Sequence, residues 1–277
     1  MTNYNPMSKE FQEEANKLGL TGRQLTAKYQ KEGKYIEKDL RKPHEIYTKK
    51  QLLDILVQSY KDLGRPPTRL DFTGNSKYPN FKTYINQFGN WSKALKLVGL
   101  DVDSMVKKGI VENNYQKGRF AEITIRDSFD NPSIDLAGEN CNSHCDGICP
   151  KGLYYDVKSS GLDFTGRFYL FHISNKHKDK IEIYYFLAFN KDYTKLEYGW
   201  RIPGDIVESN LFCVGLNFRY KFNIENMKQY DITDKLREVL NKYGYFEKIK
   251  NYIKAKEKGM TIYEYDKQLY DGCIIAE

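Results

Sequence analysis

Apolar residues in the first third of the chain recur at helical spacing. Between positions 8 and 32 they fall at Phe11, Ala15, Leu18, Leu25 and Tyr29, a stripe along one side of a helix. Gly19 interrupts the stripe, and Thr21 carries the hydroxyl that an N-cap requires, so the segment reads as two short helices about a tight turn, as in a helix-turn-helix. A second stripe starts after Thr48 and runs through Leu52, Leu53, Leu56, Val57 and Tyr60 to Leu63-Gly64. Glycine supplies a C-terminal stop there, and Pro66-Pro67 forbids continuation. Residues 81–88, closed by Gly89, and 91–98, closed by Gly99, complete a set of three short helices.

The period changes after about residue 130. Residues 110–129 still read as a helix, with Phe120, Ile123 and Asp127 on different faces around Glu122. Beyond it, residues 153–157, 168–173, 181–189 and 196–202 are short apolar or alternating runs rich in Tyr, Phe and Ile, the composition of strands. Residues 232–253 return to a helical pattern through Leu236, Val239, Leu240, Phe246 and Ile249. The expected fold class is α+β or α/β, with a helical N-terminal region followed by a mixed β-sheet core flanked by helices. The expected divisions are 1–45, a helix-turn-helix-like basic segment; 46–102, three helices; 103–230, the sheet core; and 231–277, a helical extension.

Charge separates the same regions. Residues 1–100 hold 18 Lys and Arg against 10 Asp and Glu, while the other 177 residues hold 26 against 27. The net +7 of the chain therefore originates in its N-terminal third, which points to a polyanionic partner held at one end. On the second helix the basic and polar face comprises Arg23, Gln24, Lys28 and Lys31. Mean hydropathy is -0.70, no apolar run approaches the ~20 residues of a membrane span, and the first residues have no secretory pattern. A cytoplasmic protein with no membrane partner is expected, in a bacterial or phage-infected cell. Five cysteines, an odd number, with three at 141, 145 and 149, suit a reducing compartment.

The string LGRPPTRLDF, followed by YPNFKTYINQFGNWSKALKLVGL, resembles the homing-endonuclease-associated repeat, a small helical DNA-binding module of mobile-element and phage nucleases. Leu63, Gly64, Pro67, Thr68, Tyr84, Phe88, Gly89, Trp91, Ala94, Leu95 and Gly99 carry the resemblance. Most of these are core and cap positions, and Tyr78, Tyr84 and Trp91 read as packing. The resemblance implies double-stranded DNA as partner. Contacts to phosphates or groove edges are expected from the polar residues between, Arg65, Thr68, Arg69, Lys77, Lys82, Thr83 and Lys93, together with Arg23 and Lys28. Lys248, Lys250, Lys254 and Lys256 read first as a solvated face.

Candidate chemistry concentrates in CDGICPKGLYYDVKSS, residues 145–160. Pro150-Lys151-Gly152 is a turn signal, so residues 146–149 and 153–158 are expected to pair as a hairpin. With the turn centred on Lys151, Asp146 lies opposite Asp156, with Cβ atoms roughly 5 Å apart. Side-chain alternation then sets Lys158 on the same face as Asp156. Adjacent carboxylates repel unless a cation lies between them. Mg²⁺, or Mn²⁺ in its place, suits one or two carboxylates together with water and phosphate oxygens. Glu122 on the preceding helix is expected to complete the shell, and Lys158 to orient water or stabilise charge on the phosphorane.

Glu122, Asp146 and Asp156-Val157-Lys158 together resemble the PD-(D/E)XK nuclease superfamily, in which a helix acid precedes an Asp and a D/E-x-K strand. The residue before Asp146 is Cys145 rather than proline, and Asp135 in NPSID is a rival first carboxylate. The resemblance implies a Mg²⁺-dependent endodeoxyribonuclease, site-directed like homing endonucleases, and leaves open a homodimer for double-strand cleavage. Alternatives are a restriction or junction-cleaving endonuclease with the same catalytic residues, or a non-catalytic DNA-binding regulator. Cys141, His144, Cys145 and Cys149 include zinc-ligand types, but their spacing argues against a structural Zn²⁺ and makes packing the default. His44, His172 and His177 have no clustered partners, so a histidine-metal nuclease is not expected.

Overall fold

The computed structural model describes residues 9–32, 47–74, 77–129, 134–135, 145–161, 171–174, 181–209, 212–214, 217–220 and 227–271. The chain divides into two compact units, Met1–Gln51 and Leu52–Glu277. It is a mixed α+β fold in which a helical N-terminal region precedes a sheet core.

In the first unit, α1 (Lys9–Lys17) and α2 (Gly22–Lys31) bury the expected stripe except Leu18, which is exposed in the turn between them. Phe11, Ala15, Leu25 and Tyr29 form one cluster, with the Phe11 and Tyr29 rings edge-on at 5.9 Å. Thr21 caps α2 reciprocally: the Gln24 N–H donates to Thr21 Oγ1 at 3.3 Å, and the Thr21 N–H donates to Gln24 Oε1 at 2.8 Å, the capping-box arrangement.

The second unit begins within α3 (Lys49–Leu63), followed by a 3₁₀ turn (Leu70–Phe72), α4 (Phe81–Phe88) and α5 (Trp91–Leu97). These helices are too short to persist alone in water, and an aromatic core holds them. Phe72 lies 4.9 Å from Tyr78, 5.4 Å from Tyr84 and 5.1 Å from Trp91, centroid to centroid. The buried Tyr84 hydroxyl donates to the Leu52 carbonyl at 3.2 Å. The aromatic residues of this region are therefore packing, as their spacing implied. Asn80 and Asn90 cap α4 and α5 by accepting from the Lys82 and Lys93 N–H groups.

After α6 (Val102–Lys107) and α7 (Asn114–Asp127) comes the sheet. Its strands are β1 (Ile134–Asp135), β2 (Gly147–Ile148), β3 (Tyr154–Gly161), β5 (Ile183–Phe189) and β6 (Leu196–Pro203), in the order β1-β2-β3-β5-β6. All neighbours are antiparallel except β3 and β5. A second sheet orders β4 (Phe171–Ser174), β8 (Asn217–Tyr220) and β7 (Phe212–Val214). Every residue of β5 is buried because both faces of the strand are covered. Ile183, Tyr185 and Leu187 pack with Phe120 and Ile123 of α7, while Tyr184 and Phe186 pack with Phe171, Ile173 and Trp200. The helix α8 (Gly204–Ser209) follows β6.

One helical pattern near the C-terminus resolves into two helices. α9 (Thr233–Lys242) and α10 (Tyr245–Glu257) are separated at Gly244, whose φ of 61° is left-handed and stops the first helix. α11 (Ile262–Asp271) follows. It carried no legible signal in the sequence, yet it packs against the helical repeat. Tyr60, Leu100, Met105, Ile110, Tyr252, Ala255 and Tyr265 form one core, and the Tyr60 hydroxyl donates to Asp266 at 3.2 Å. The Tyr263 N–H donates to the Gly64 carbonyl at 3.1 Å. The changes of pattern near 102 and 230 are thus changes of architecture inside one compact unit.

Candidate active site

The site grows from the β2–β3 hairpin. Gly147 pairs with Tyr155 and Ile148 with Tyr154, each pair set symmetrically about Lys151 as the spacing implied. The Gly152 N–H closes the turn on the Cys149 carbonyl at 2.8 Å, and Gly152 has a φ of 80°, which glycine adopts without a Cβ penalty. Beyond these pairs the ladder breaks step: the Asp146 N–H donates at 2.9 Å to the carbonyl of Tyr155, the residue already paired with Gly147. Asp146 and Asp156 are near enough for the Asp156 charge to act on the Asp146 carboxyl. The Val157 N–H donates to Asp146 Oδ2 at 2.7 Å. Lys158, two residues after Asp156 on the same face, forms an ion pair with the Asp156 carboxylate. The parallel register places this face beside Tyr184 and Phe186 of β5.

These charges are largely withdrawn from water, with the Asp156 side chain 14% exposed and that of Lys158 25% exposed. Burial, followed by the Asp156 and Glu122 carboxylates, pushes the Asp146 carboxyl up to about 8, against the pull of Lys158 and the Val157 N–H. For Lys158, burial disfavours the ammonium, but Asp156, Asp146 and Glu122 outweigh it and hold its pKa above the ordinary lysine value. An acid whose negative charge is resisted by two neighbouring carboxylates is one that gains from a cation.

Glu122 lies on α7, and its electrostatic influence reaches both Asp146 and Lys158. Its carboxylate accepts from Arg119 Nη1 at 2.8 Å. Arg119 also grips Asp103 of α6 through Nε at 2.6 Å and Nη2 at 2.9 Å. Sequence reasoning missed both Arg119 and Asp103. The available signal was the spacing of Arg119 and Glu122, three apart on one helix. Among the described residues, no group of three or more His, Cys, Asp and Glu side chains is arranged to hold a metal ion. The cluster as it stands is the Asp146 carboxyl, the Asp156 carboxylate and the Lys158 ammonium, with Glu122 acting on them and joined to Arg119.

The rival carboxylate, Asp135, belongs to β1, where its backbone pairs with Gly147; its side chain lies outside the described set. Cys141 and His144 also lie outside the described residues, while Cys145 and Cys149 are buried. His44 and His177, and the side chain of His172, fall outside as well.

The basic residues of the repeat divide into two groups. Arg65 is bidentate on Asp71, at 3.0 Å and 2.8 Å, and the Thr68 N–H and hydroxyl both donate to Asp71 Oδ2 at 2.7 Å. The Arg65 guanidinium, followed by the Thr68 donors, holds the Asp71 carboxyl down at about 2 against the effect of burial. Lys77 pairs with Asp62 at 2.7 Å. These three residues shape the loop between α3 and α4. Arg69, Lys82 and Lys93 have exposed side chains, Thr83 is half-buried, and Arg23 and Lys28 are exposed on α2. At the C-terminal end, Lys256 is paired with Glu112 at 2.5 Å, and Lys248 lies over the Tyr245 ring at 5.5 Å.

Residues 47–101 match the family model of the homing endonuclease associated repeat. The match spans α3 to α5 and ends just before α6. No curated protein matches the chain. Among the described residues, no helix is long and apolar enough to cross a membrane. The family association speaks for residues 47–101 and hints at a partner in DNA; the sheet that carries Asp146, Asp156 and Lys158 lies beyond it.

Proposed function

We propose that this chain is a site-directed DNA endonuclease in which the basic helical region engages duplex DNA and a PD-(D/E)XK-like sheet hydrolyses a phosphodiester bond with the help of a divalent metal. The observation that carries the reading is the gathering of Asp146, Asp156 and Glu122 about the Lys158 ammonium, with Lys158 ion-paired to Asp156 and Asp146 held by the Val157 N–H. A regulator has no need for carboxylates converging on a lysine, and their mutual repulsion is a cost unless a cation relieves it. The donor set fits Mg²⁺ or Mn²⁺, hard cations that take oxygen ligands and retain sites for water and phosphate. Asp146 and Asp156 would hold the ion, and Glu122 would add negative charge to the site. Such an ion supplies polarisation of the scissile phosphate and a lowered pKa for water.

The remaining work falls to the protein's own groups. Lys158, held charged by the surrounding carboxylates, donates hydrogen bonds to a water aligned for attack or to the phosphoryl oxygens as charge develops on them. Water adds to phosphorus through oxygen and gives up a proton to the surrounding solvent, the opposite P–O bond breaks, and the departing oxygen takes up a proton in turn. Arg69, Lys82, Thr83 and Lys93 of the repeat, with Arg23 and Lys28 of α2, contact the DNA backbone and groove edges. The coarser part of the reading, an association of residues 47–101 with homing endonucleases, rests on the family match.

The full chain is to be incubated with a randomised DNA library and Mg²⁺, and the new ends sequenced. Ends sharing a common flanking sequence support the reading. A library left intact in Mg²⁺ and in Mn²⁺ contradicts it.

A further inference from the structure

Arg119 is the most deeply buried arginine among the described residues, with its side chain 4% exposed. A buried guanidinium is costly unless its donors are satisfied, and these donors reach two carboxylates on two helices. Nε and Nη2 grip Asp103 of α6 as a fork, at 2.6 Å and 2.9 Å, while Nη1 reaches Glu122 one turn along α7 at 2.8 Å. A carboxylate 22% exposed, as Glu122 is, would otherwise sample several rotamers. Held by Arg119, it keeps one position beside Asp146 and Lys158, whose charges it influences.

We infer that Arg119 is a positioning residue which, anchored by Asp103, fixes the Glu122 carboxylate at the edge of the acidic cluster and so sets the cluster's affinity for a divalent cation. The inference rests on the nuclease reading for its catalytic consequence, but not for its metal-binding one. Asp103 comes from the helix that directly follows the matched repeat, so the seat of α6 bears on the geometry of the site. Groups that orient metal-site carboxylates commonly change affinity or activity by about 10- to 100-fold when removed. Lysine is a poor substitute, because a single ammonium lacks the planar fork that serves Asp103 and Glu122 together.

The test uses the full-length chain as wild type, Arg119→Lys, Arg119→Ala, Glu122→Gln and the Arg119→Ala/Glu122→Gln double variant. Mn²⁺ binding is measured by calorimetry without DNA, and kcat and KM for DNA cleavage are measured across a Mg²⁺ series. Arg119→Lys guards against loss of fold in the alanine variant, with thermal unfolding as the check. Arg119→Lys and Glu122→Gln should each weaken Mn²⁺ affinity about 10-fold or more, raise the Mg²⁺ needed for half-maximal cleavage and lower kcat with little change in KM. The double variant should be no worse than Glu122→Gln alone, since Arg119 acts through Glu122. Multiplying effects in the double variant, or unchanged Mn²⁺ affinity in a folded Arg119→Lys, overturn the inference. A wild-type chain that binds Mn²⁺ but cuts no DNA refutes the nuclease reading instead, and the calorimetric comparison still decides the role of Arg119.

Discussion

The Val157 N–H donates to the Asp146 carboxylate at 2.7 Å, tying the acid of one hairpin arm to the strand that carries Asp156 and Lys158. A backbone donor cannot swing away as a side chain does, so this bond fixes where the Asp146 oxygens lie relative to the next two functional groups. It favours the charged carboxylate, while burial and the Asp156 and Glu122 carboxylates favour the neutral one and prevail.

Asp146 should therefore matter as much as Asp156. In single-turnover cleavage, Asp146→Asn is expected to be as inactive as Asp156→Asn, and Asp135→Asn to be mild. The opposite ranking would transfer the role to Asp135 on β1.

Asp71 organises the loop that joins α3 to α4, accepting from Arg65 and from both donors of Thr68. Its carboxyl sits at about 2 in the folded protein, below its ordinary value of 3.8. The unfolded chain thus binds this proton first, so the stabilisation is present above about pH 4 and is lost as pH falls toward 2. Asp71→Asn is expected to cost about 1–2 kcal/mol near pH 7, and the gap from wild type to narrow below pH 4. Urea unfolding at several pH values measures both. A pH-independent gap would contradict the assignment.

DNA affinity should be strongly salt-dependent, with log K falling against log salt by about 0.9 per phosphate neutralised. Arg65 and Lys77 are engaged by Asp71 and Asp62, so the slope should depend more on exposed cations. Arg69→Glu, Lys82→Glu and Lys93→Glu are each expected to flatten it, leaving the metal dependence of cleavage intact. These substitutions belong in the full chain, because a fragment starting near residue 103 would strip Tyr60 from the core it shares with Tyr252 and Tyr265. Fluorescence anisotropy titrations at several salt concentrations give the slopes, and unchanged slopes would place recognition elsewhere.

Local signals in the sequence carried far. Thr21, Thr48, Gly64, Gly89 and Gly99 mark helix ends where helices do end, and Pro150-Lys151-Gly152 sets a hairpin register that the ladder reproduces. That register holds from Ile148 and Tyr154 to Gly147 and Tyr155 and breaks step at Asp146; these features are local, and their physics spans only a few residues. The Gly244 break went unread because the apolar positions on either side of it fit one helical period. The packing of α11 on α3 depends on contacts between residues about 200 apart in sequence, such as Tyr60 with Asp266, which no periodicity encodes. The engagement of Arg65 by Asp71, and of Glu122 by Arg119, was likewise hidden: charge type is written in the sequence, but the partner is chosen by the fold.

Metal-dependent chemistry at the Asp146, Asp156 and Lys158 cluster is tested most directly by single-turnover cleavage of a recognised DNA, comparing the full chain with Asp156→Asn and Lys158→Ala. Wild type should cut in Mg²⁺ and stop in EDTA, while both variants bind the DNA with near-unchanged affinity and lose about 1000-fold or more in rate, roughly 4 kcal/mol of barrier at ~1.4 kcal/mol per tenfold. Cleavage by either variant at the wild-type rate, or by wild type in EDTA, would contradict it.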